Sequence, residues 1–536
     1  MKHRKWSRLL ALALSAVMLT ACGQSGGAKE EPATAVAGGA AEGTETTKPT
    51  GEISYKTELN VAITANPPSL DVHGVNSNIV GGIGTHIYEP LFAMDANYEP
   101  AGVLADSYTI SEDGKVYTIK LRQGVKFHNG QEMTADDVVA SMSRWLELSG
   151  KAKALLAGTV FEKADDYTIT MTLPEAYADA LTVVAASIQF PAIYPKSVID
   201  SAGTEGITEY IGTGPYKLDE WNQYIHLVRY EDYAQPAGES SGFTGEKLAA
   251  TPDIYFRVVT DDSTRVAGVQ TGQYDIAEEM PQERYQELSG DSSLKFYVKT
   301  AGTINLFFNT TKGIMASPQM RQAIMACLNC DDIMLASYGD PNLYVLNPGW
   351  CNPDDAMWGS DAGSEYYNQN NIGKAKELLT EAGYNNEEIV LVTTPDYGEM
   401  YNATLVVQAE LQSAGINAVV ESYDFATFME HRANPDQFSL YITSNRYNLN
   451  PVQLSVLTKD WAGLDRPEVD EGIAAIRMAS SPEESSAKWD DLQEFLYEYG
   501  AASVLGHYSG LMATGAGVEG FNFFDFPLYW NVKVPA

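Results

Sequence analysis

The sequence predicts an α/β protein of more than one domain, and three observations carry that expectation. Its 536 residues exceed the ~100–200 of one ordinary domain. Strand and helix patterns alternate between residues 388 and 444, the mark of parallel strands joined by crossover helices. Residues of about 98–208 are instead rich in extended segments with few helices, as in a separate subdomain. Hydrophobic residues make up 44% of the chain, enough to bury large cores and to exclude wholesale disorder.

The first residues read as an address. Lys2, His3, Arg4, Lys5 and Arg8 precede an apolar run, Leu9 to Leu19, too short for a permanent membrane span. Residues 1–21 are expected to be a signal peptide. The run ends in Leu19-Thr20-Ala21-Cys22, which resembles a bacterial lipobox and implies lipid modification of Cys22. Acyl chains contribute roughly 0.8 kcal/mol per buried CH₂, so two or three tether a protein firmly. Residues 22–54, rich in Gly, Ala, Thr and Glu, bury too little to order themselves and are expected to form a flexible linker. No later run reaches the ~20 apolar residues of a span. The expected protein is exported and lipid-anchored to the cell membrane on its outer (or periplasmic) face.

Beyond the linker, "ELNVAITA" predicts a short strand ending at a turn with paired prolines. "SYTISEDGKVYTIKLRQGVKF" predicts a β-hairpin turning at Asp113-Gly114, with Tyr117, Ile119 and Leu121 on one face. "ADDYTITMTL" predicts another strand. Later come the strand "EIVLVTTP", a helix "YNATLVVQAELQSAG" stopping at Gly415, the strand "INAVVESYD", the helix "FATFMEHRA" and the strand "FSLYITS". In "SPEESSAKWDDLQEFLYEYG", Ser481 is placed as N-cap, Pro482 at N1, Glu484 at N3 and Gly500 at C′. Trp489, Leu492, Leu496 and Tyr499 form its expected buried stripe.

The stretch "VKFHNGQEMTADDVVAS" gathers His128, Asp136 and Asp137 as a catalytic or metal site would. Turn and helix chemistry explain it without catalysis. Asn129-Gly130 tolerates positive φ, Thr134 is a natural N-cap, and Asp137 reaches back to the free amides. Two acids also suit the positive end of the helix. His128 closes the preceding strand, where a structural hydrogen bond is expected.

Other chemistry is sparse. Net charge is −36 with no basic block, which disfavours nucleic acid as a partner. The seven histidines are scattered, none four residues from another, so no metal site is expected. The "CLNC" spacing of Cys327 and Cys330 sits in a helical pattern, and with Cys351 makes no disulfide framework, so buried or surface thiols are expected. No G-x-S-x-G elbow, P-loop, H-E-x-x-H or G-x-G-x-x-G unit occurs, so neither enzyme nor cofactor is expected.

The order of "PPSLDVHG", "IYEPLF", "ADSYTISEDGKVYTIKLRQGVKFHNGQEMTADDVVASMSRW", "YIGTGPYKLDEW", "AGVQTGQYDIAEEMP" and "INLFFNTTKG" resembles the family 5 extracellular solute-binding proteins of ABC importers. The likeness runs from about residue 58 to the C-terminal "EGFNFFDFPLYWNVKV". It implies an α/β, two-lobed periplasmic-binding-protein-like fold (type II, cluster C), with an extra subdomain in lobe I and a hinge of two crossings. Carried onto this chain, lobe I would be 55–302 with the subdomain at about 98–208, lobe II 303–505, and 506–536 a return to lobe I. The implied function is a monomeric receptor that binds a peptide or other small solute between the lobes and hands it to membrane permease subunits. Metal chelates, glutathione-like compounds, oligosaccharides and a sensory role stay open alternatives.

In peptide receptors of this family a late lobe II loop carries an aspartate that pairs with the peptide amino group. Here that loop, "LYITSNRYNLNPVQL", has no acid between Ser439 and Lys459 but has Arg446, suited to a carboxylate or phosphate. Tyr447 and Asn448 beside it are candidates for stacking and amide contacts. Asn76 and Asn78 are expected in the loop after the first strand, Thr394 and Tyr397 at the end of the 388–393 strand. Arg144 and Trp145, taken as ending the helix begun at Thr134, complete the candidate ligand-binding set.

Overall fold

The computed structural model describes residues 53–203, 206–448 and 450–536. The expected signal peptide, Cys22 and nearly all of the linker lie outside the described residues. Among those described, no helix is long and apolar enough to cross a membrane.

The backbone of the fold is an eleven-stranded sheet. Ten strands run in the order Asn417–Ser422, Glu388–Thr393, Leu440–Arg446, Leu294–Phe308, Ala502–Gly515, Ile276–Ala277, Glu58–Ile63, Asp253–Val258, Tyr224–Arg229 and Tyr216–Trp221, and Tyr344–Val345 pairs to the side. The alternating strand–helix series appears as read. Glu388–Thr393 pairs in parallel with both Asn417–Ser422 and Leu440–Arg446, and the helices Gly398–Ser413 and Phe425–Arg432 make the crossovers.

Two apolar cores form around this sheet. The first gathers Leu59, Val61, Ile83, Ile119, Trp145, Ile225, Phe256 and the C-terminal Phe526 and Trp530. The second gathers Leu306, Phe308, Ile324, Leu391, Val407, Tyr441, Trp489 and Leu496. Helix Asp262–Thr271, through Val266 and Val269, packs with the second group. Two long strands, Leu294–Phe308 and Ala502–Gly515, run between the cores as antiparallel partners, with register shifts between Thr300 and Gly302 and between Ile304 and Asn305. At Gly302 a Cβ would collide with the backbone carbonyl of Asn445, so only glycine permits this approach.

A separate four-stranded antiparallel sheet, Ala105–Ile110, Val116–Leu121, Thr168–Thr172 and Val160–Asp165, forms within the extended-rich segment. Its first hairpin turns at Gly114 (φ +71) and buries Tyr117, Ile119 and Leu121 as predicted. Strand Val160–Asp165 was not legible, because Phe161 is its one buried side chain and no alternation marks it. Helix Ala135–Leu148 carries the expected capping box, with Thr134 N–H donating to Asp137 Oδ2 at 2.9 Å. It runs a turn beyond Arg144 and Trp145, which therefore lie inside the helix rather than at its end.

His128 is structural. Its Nε2–H donates to Gly214 O (3.0 Å) and its Nδ1 accepts from Gly212 N (3.3 Å). Burial lowers its pKa to about 4, so the ring is neutral with both nitrogens spent.

Two helix readings need correction. The "CLNC" stretch is not one helix but two, Pro318–Cys327 and Cys330–Tyr338, because neighbours capture the backbone between them. Asn329 N–H donates to Glu410 (3.1 Å), and Leu328 O accepts from Asn370 N (3.0 Å). In helix Pro482–Tyr499 the caps fall as read, but Tyr497 is the buried tyrosine, its hydroxyl donating to Pro348 O at 2.7 Å. Tyr499 is half-buried beneath the Arg321 guanidinium, 4.6 Å from its ring centre.

Candidate functional site

A cavity of ≈ 460 Å³ opens where the two long strands pass between the cores. That volume falls in the ~300–1,000 Å³ range of small-ligand sites. Lys299, Thr300 and Ala301 of one strand and Tyr508 to Met512 of the other form its floor. One wall comes from helix Asn78–Ile87 and the segment Phe523–Pro527, the other from Arg446, Tyr447 and Asn448 at the end of strand Leu440–Arg446. A larger groove of ≈ 680 Å³ lies by Asn309, Glu388 and Pro435. Its lining belongs to the second half alone, so relative movement of the cores would not close it on a ligand. The inter-core cavity is the candidate site.

Four sequence candidates meet there: Asn78, Arg446, Tyr447 and Asn448. Asn78 is not in a loop but opens helix Asn78–Ile87, since Ser77 before it takes the extended N-cap conformation. The Asn78 amide oxygen accepts from both terminal nitrogens of Arg446, 3.0 Å from Nη2. Tyr447 is held by its hydroxyl, which donates to His507 Nδ1 at 2.6 Å. His507 Nε2–H in turn donates to Asn347 O (3.2 Å), and burial lowers the His507 pKa to about 4. The neutral ring therefore acts as a fixed acceptor and leaves the face of Tyr447 for the cavity.

The other candidates stand elsewhere. Asn76 is exposed outside the lining. Thr394 is buried, its hydroxyl accepting from Asp396 N (3.3 Å), and Tyr397 is exposed with its ring edge-on to Phe425. Arg144 forms a two-pronged ion pair with Asp71, 2.9 Å between Nη1 and Oδ1, with both side chains nearly buried. Trp145 is fully buried and donates Nε1–H to Gln189 O at 2.6 Å. Packing and internal pairing occupy Thr394, Arg144 and Trp145, and none of these three, nor the exposed Tyr397, lies on the cavity lining.

Sequence reasoning missed much of the charged lining. Lys151 reaches the cavity from the short helix Gly150–Leu155, and burial lowers its pKa against the opposing pull of Asp525. Asp525 accepts from Tyr98 Oη (3.1 Å) and Ser187 Oγ (3.0 Å), while burial raises its pKa. Burial also pushes the Glu278 carboxyl up to about 7. A lone acid inside the aromatic run "FNFFDFPLYW" was a usable signal for Asp525. Lys151 and Glu278 carried none, since each sits in a stretch with ordinary helix or strand patterning.

The cavity thus presents cations (Lys151, Lys299 and Arg446) and carboxylates (Glu278, Glu279, Asp355 and Asp525) on one lining, with Asp525 close to both lysines. Among the described residues no group of three or more His, Cys, Asp or Glu is placed to hold a metal ion.

Comparison with known proteins agrees with this architecture. Residues 99–458 match the pattern of "Bacterial extracellular solute-binding proteins, family 5 Middle". A probable peptide ABC transporter periplasmic-binding protein of Sinorhizobium fredii is 27% identical over 477 residues, 83% of this chain and 88% of the relative. The glutathione-binding protein GsiB of Escherichia coli (O1:K1 / APEC) is 27% identical over 380 residues, 68% of this chain and 70% of that protein. In structure, the ABC transporter substrate-binding protein CtaP of Listeria monocytogenes superposes with a TM-score of 0.78 at 19% identity, covering 90% of this chain and 100% of CtaP.

Proposed function

This chain belongs to the family 5 bacterial extracellular solute-binding proteins of ABC importers, a family of binders and not of enzymes, and from that premise we propose that it is a lipid-anchored monomeric receptor for a peptide or peptide-like solute. The ligand sits in the inter-core cavity, and the lobes, 55–302 with 506–536 against 303–505, close over it by bending at the two long strands. A permease distinguishes loaded from empty receptor only if ligand favours the closed arrangement. The observation that carries the reading is the junction of Arg446 with Asn78: a cation from one core meets an amide from the other at the cavity wall. A ligand carboxylate entering there takes two parallel N–H donors from Arg446. Relatives named for peptide and for glutathione binding support small acidic-ended peptides as cargo.

Calorimetry with a dipeptide, an oligopeptide pool, glutathione and a nickel chelate tests this reading. Binding of one or more peptides without turnover is expected. Binding of the chelate alone, or release of a cleaved peptide, would overturn it. Export and anchoring are tested separately: a Cys22→Ala variant is expected in the soluble fraction and the natural chain in the membrane fraction.

A further inference from the structure

Four carboxylates line the cavity, and three are already committed. Asp525 has both oxygens occupied by hydroxyl donors and lies near Lys151 and Lys299. Asp355 Oδ1 accepts the backbone amides of Met357 (2.8 Å) and Trp358 (3.0 Å), closing a turn. Glu279 is exposed and accepts from Thr64 Oγ1 at 3.1 Å. Glu278 shares with Glu279 a single hydroxyl donor but, unlike Glu279, is half-buried. Its one donor is the buried Tyr529 hydroxyl, bonded to Oε1, and no lysine, arginine or histidine pairs with it among the described residues.

The position of Glu278 is rigid. Its own N–H donates to Ala62 O (3.0 Å), and Met280 N–H donates to Leu511 O (2.8 Å). Tyr529 is fixed as well, through its N–H to His86 Nε2 at 2.9 Å. Gln282, also on the lining, spends its amide N–H on Ser509 O (2.7 Å) and keeps its amide oxygen as an acceptor. A half-buried carboxyl with an unfilled oxygen, on the same cavity lining as a second acceptor, is a preorganised seat for a group with several donors and a positive charge.

From this geometry we infer that Glu278, assisted by Gln282, receives a primary ammonium group of the ligand, fixing the ligand's polarity with its amino end beside Tyr529 and its carboxylate at Arg446. The inference rests on the peptide reading above. It makes Glu278 a specificity-determining residue, not a structural acid. Because burial raises the Glu278 carboxyl to about 7, with Tyr529 and Glu279 the ionisable groups facing it, an arriving ammonium also drives a proton from Glu278 into solution.

The test uses a mixed tripeptide pool with free termini, the same pool N-acetylated, the wild-type protein and Glu278→Gln. Gln keeps an acceptor for Tyr529, so the variant is expected to fold. On wild type, acetylation is expected to weaken binding about 10–100-fold, and Glu278→Gln to weaken the free pool equally while becoming indifferent to acetylation. Calorimetry at pH 7 in buffers of different ionisation enthalpy is expected to register proton release for wild type with the free pool, and none for the variant. Equal binding of free and acetylated pools, or no proton release from wild type, overturns the inference while leaving the peptide reading intact. No binding of either pool overturns both. The acetylation and proton-release arms need only wild type, so they decide the matter even if the variant fails to fold.

Discussion

Arg446 ends a strand whose Leu440 and Ile442 belong to the second core and Asn78 opens a helix whose Val80 and Ile83 belong to the first, yet the guanidinium of one donates to the amide oxygen of the other, 3.0 Å from Nη2. The pair needs two preconditions. Gly302 must lack a side chain so that strand Leu440–Arg446 can lie against the first long strand, and Ser77 must end the extended segment so that Asn78 opens its helix. Arg446 has no carboxylate partner among the described residues, so its charge is available to a ligand.

If Arg446 meets a ligand carboxylate, Arg446→Ala should weaken peptides with a free C-terminus by roughly 10–100-fold and leave C-terminal amides unaffected. Arg446→Lys should restore only part of the loss, because an ammonium cannot offer the parallel pair of donors. Calorimetry with matched acid and amide peptides measures both. Equal loss for acid and amide would place Arg446 outside the contact.

Arg144 should behave in the opposite way. Its partner Asp71 also accepts from the backbone of Ile207 (3.2 Å) and His73 (3.3 Å); burial pushes the Asp71 pKa up, but Arg144, with smaller help from the His73 ring and the Ile207 bond, holds it below its ordinary value. Removing the guanidinium strands a buried carboxylate, which costs about 3–5 kcal/mol. Arg144→Ala is therefore expected to lower the denaturant midpoint sharply while the folded fraction keeps its ligand affinity. A wild-type midpoint with lost affinity would reverse that assignment.

The contrast shows what the sequence could and could not convey. Local patterns were readable: the capping box at Thr134, the hairpin at Gly114, the parallel crossovers and the caps at Ser481 and Gly500 each follow from residues a few positions apart. Arg446 stands out because the aspartate that the family resemblance implies is missing from its loop, and the fold puts the arginine on the cavity lining. Arg144 looked similar as a letter, but its partner Asp71 lies 73 residues away, and only the fold reveals the pair. Glu278 and Lys151 were invisible for the same reason. Their chemistry comes from what long-range packing places around them, not from neighbours in the chain.

The cysteines give a redox prediction. Cys327, Cys330 and Cys351 are free and buried, and burial pushes the Cys327 thiol up to about 12 and the other two higher still. Thiolate is the reactive form, so at pH 8 iodoacetamide is expected to leave all three unmodified in the folded protein and to label them after denaturation. Reductant should not change the melting temperature. Rapid labelling of the native protein, or a melting point that falls with reductant, would contradict the buried-thiol assignment.

A second bridge between the cores should make closure respond to pH. Asn450 Nδ2 donates to Asp179 and to Tyr177 Oη (3.0 Å), and Asp179 precedes the first-core helix Ala180–Val184. Asp179 Oδ1 has no partner. Burial pushes the Asp179 carboxyl up to about 7, aided by Asp355 and opposed by the bonds from Asn450 and Thr182, while Arg477 faces the neighbouring Tyr177. Opening of the lobes would return Asp179 to water and to its ordinary pKa near 3.8. The bridged state therefore binds the proton more tightly. Its contribution is complete below the ordinary pKa and is lost as pH rises through about 7, by up to about tenfold per pH unit in the closed-to-open ratio. In ligand-free protein, scattering should report a larger radius of gyration at pH 8 than at pH 5.5, and Asp179→Asn, which keeps an acceptor for Asn450 but cannot ionise, should flatten the dependence. A radius that is constant with pH in wild type, or a dependence that survives in the variant, would remove Asp179 as the sensor.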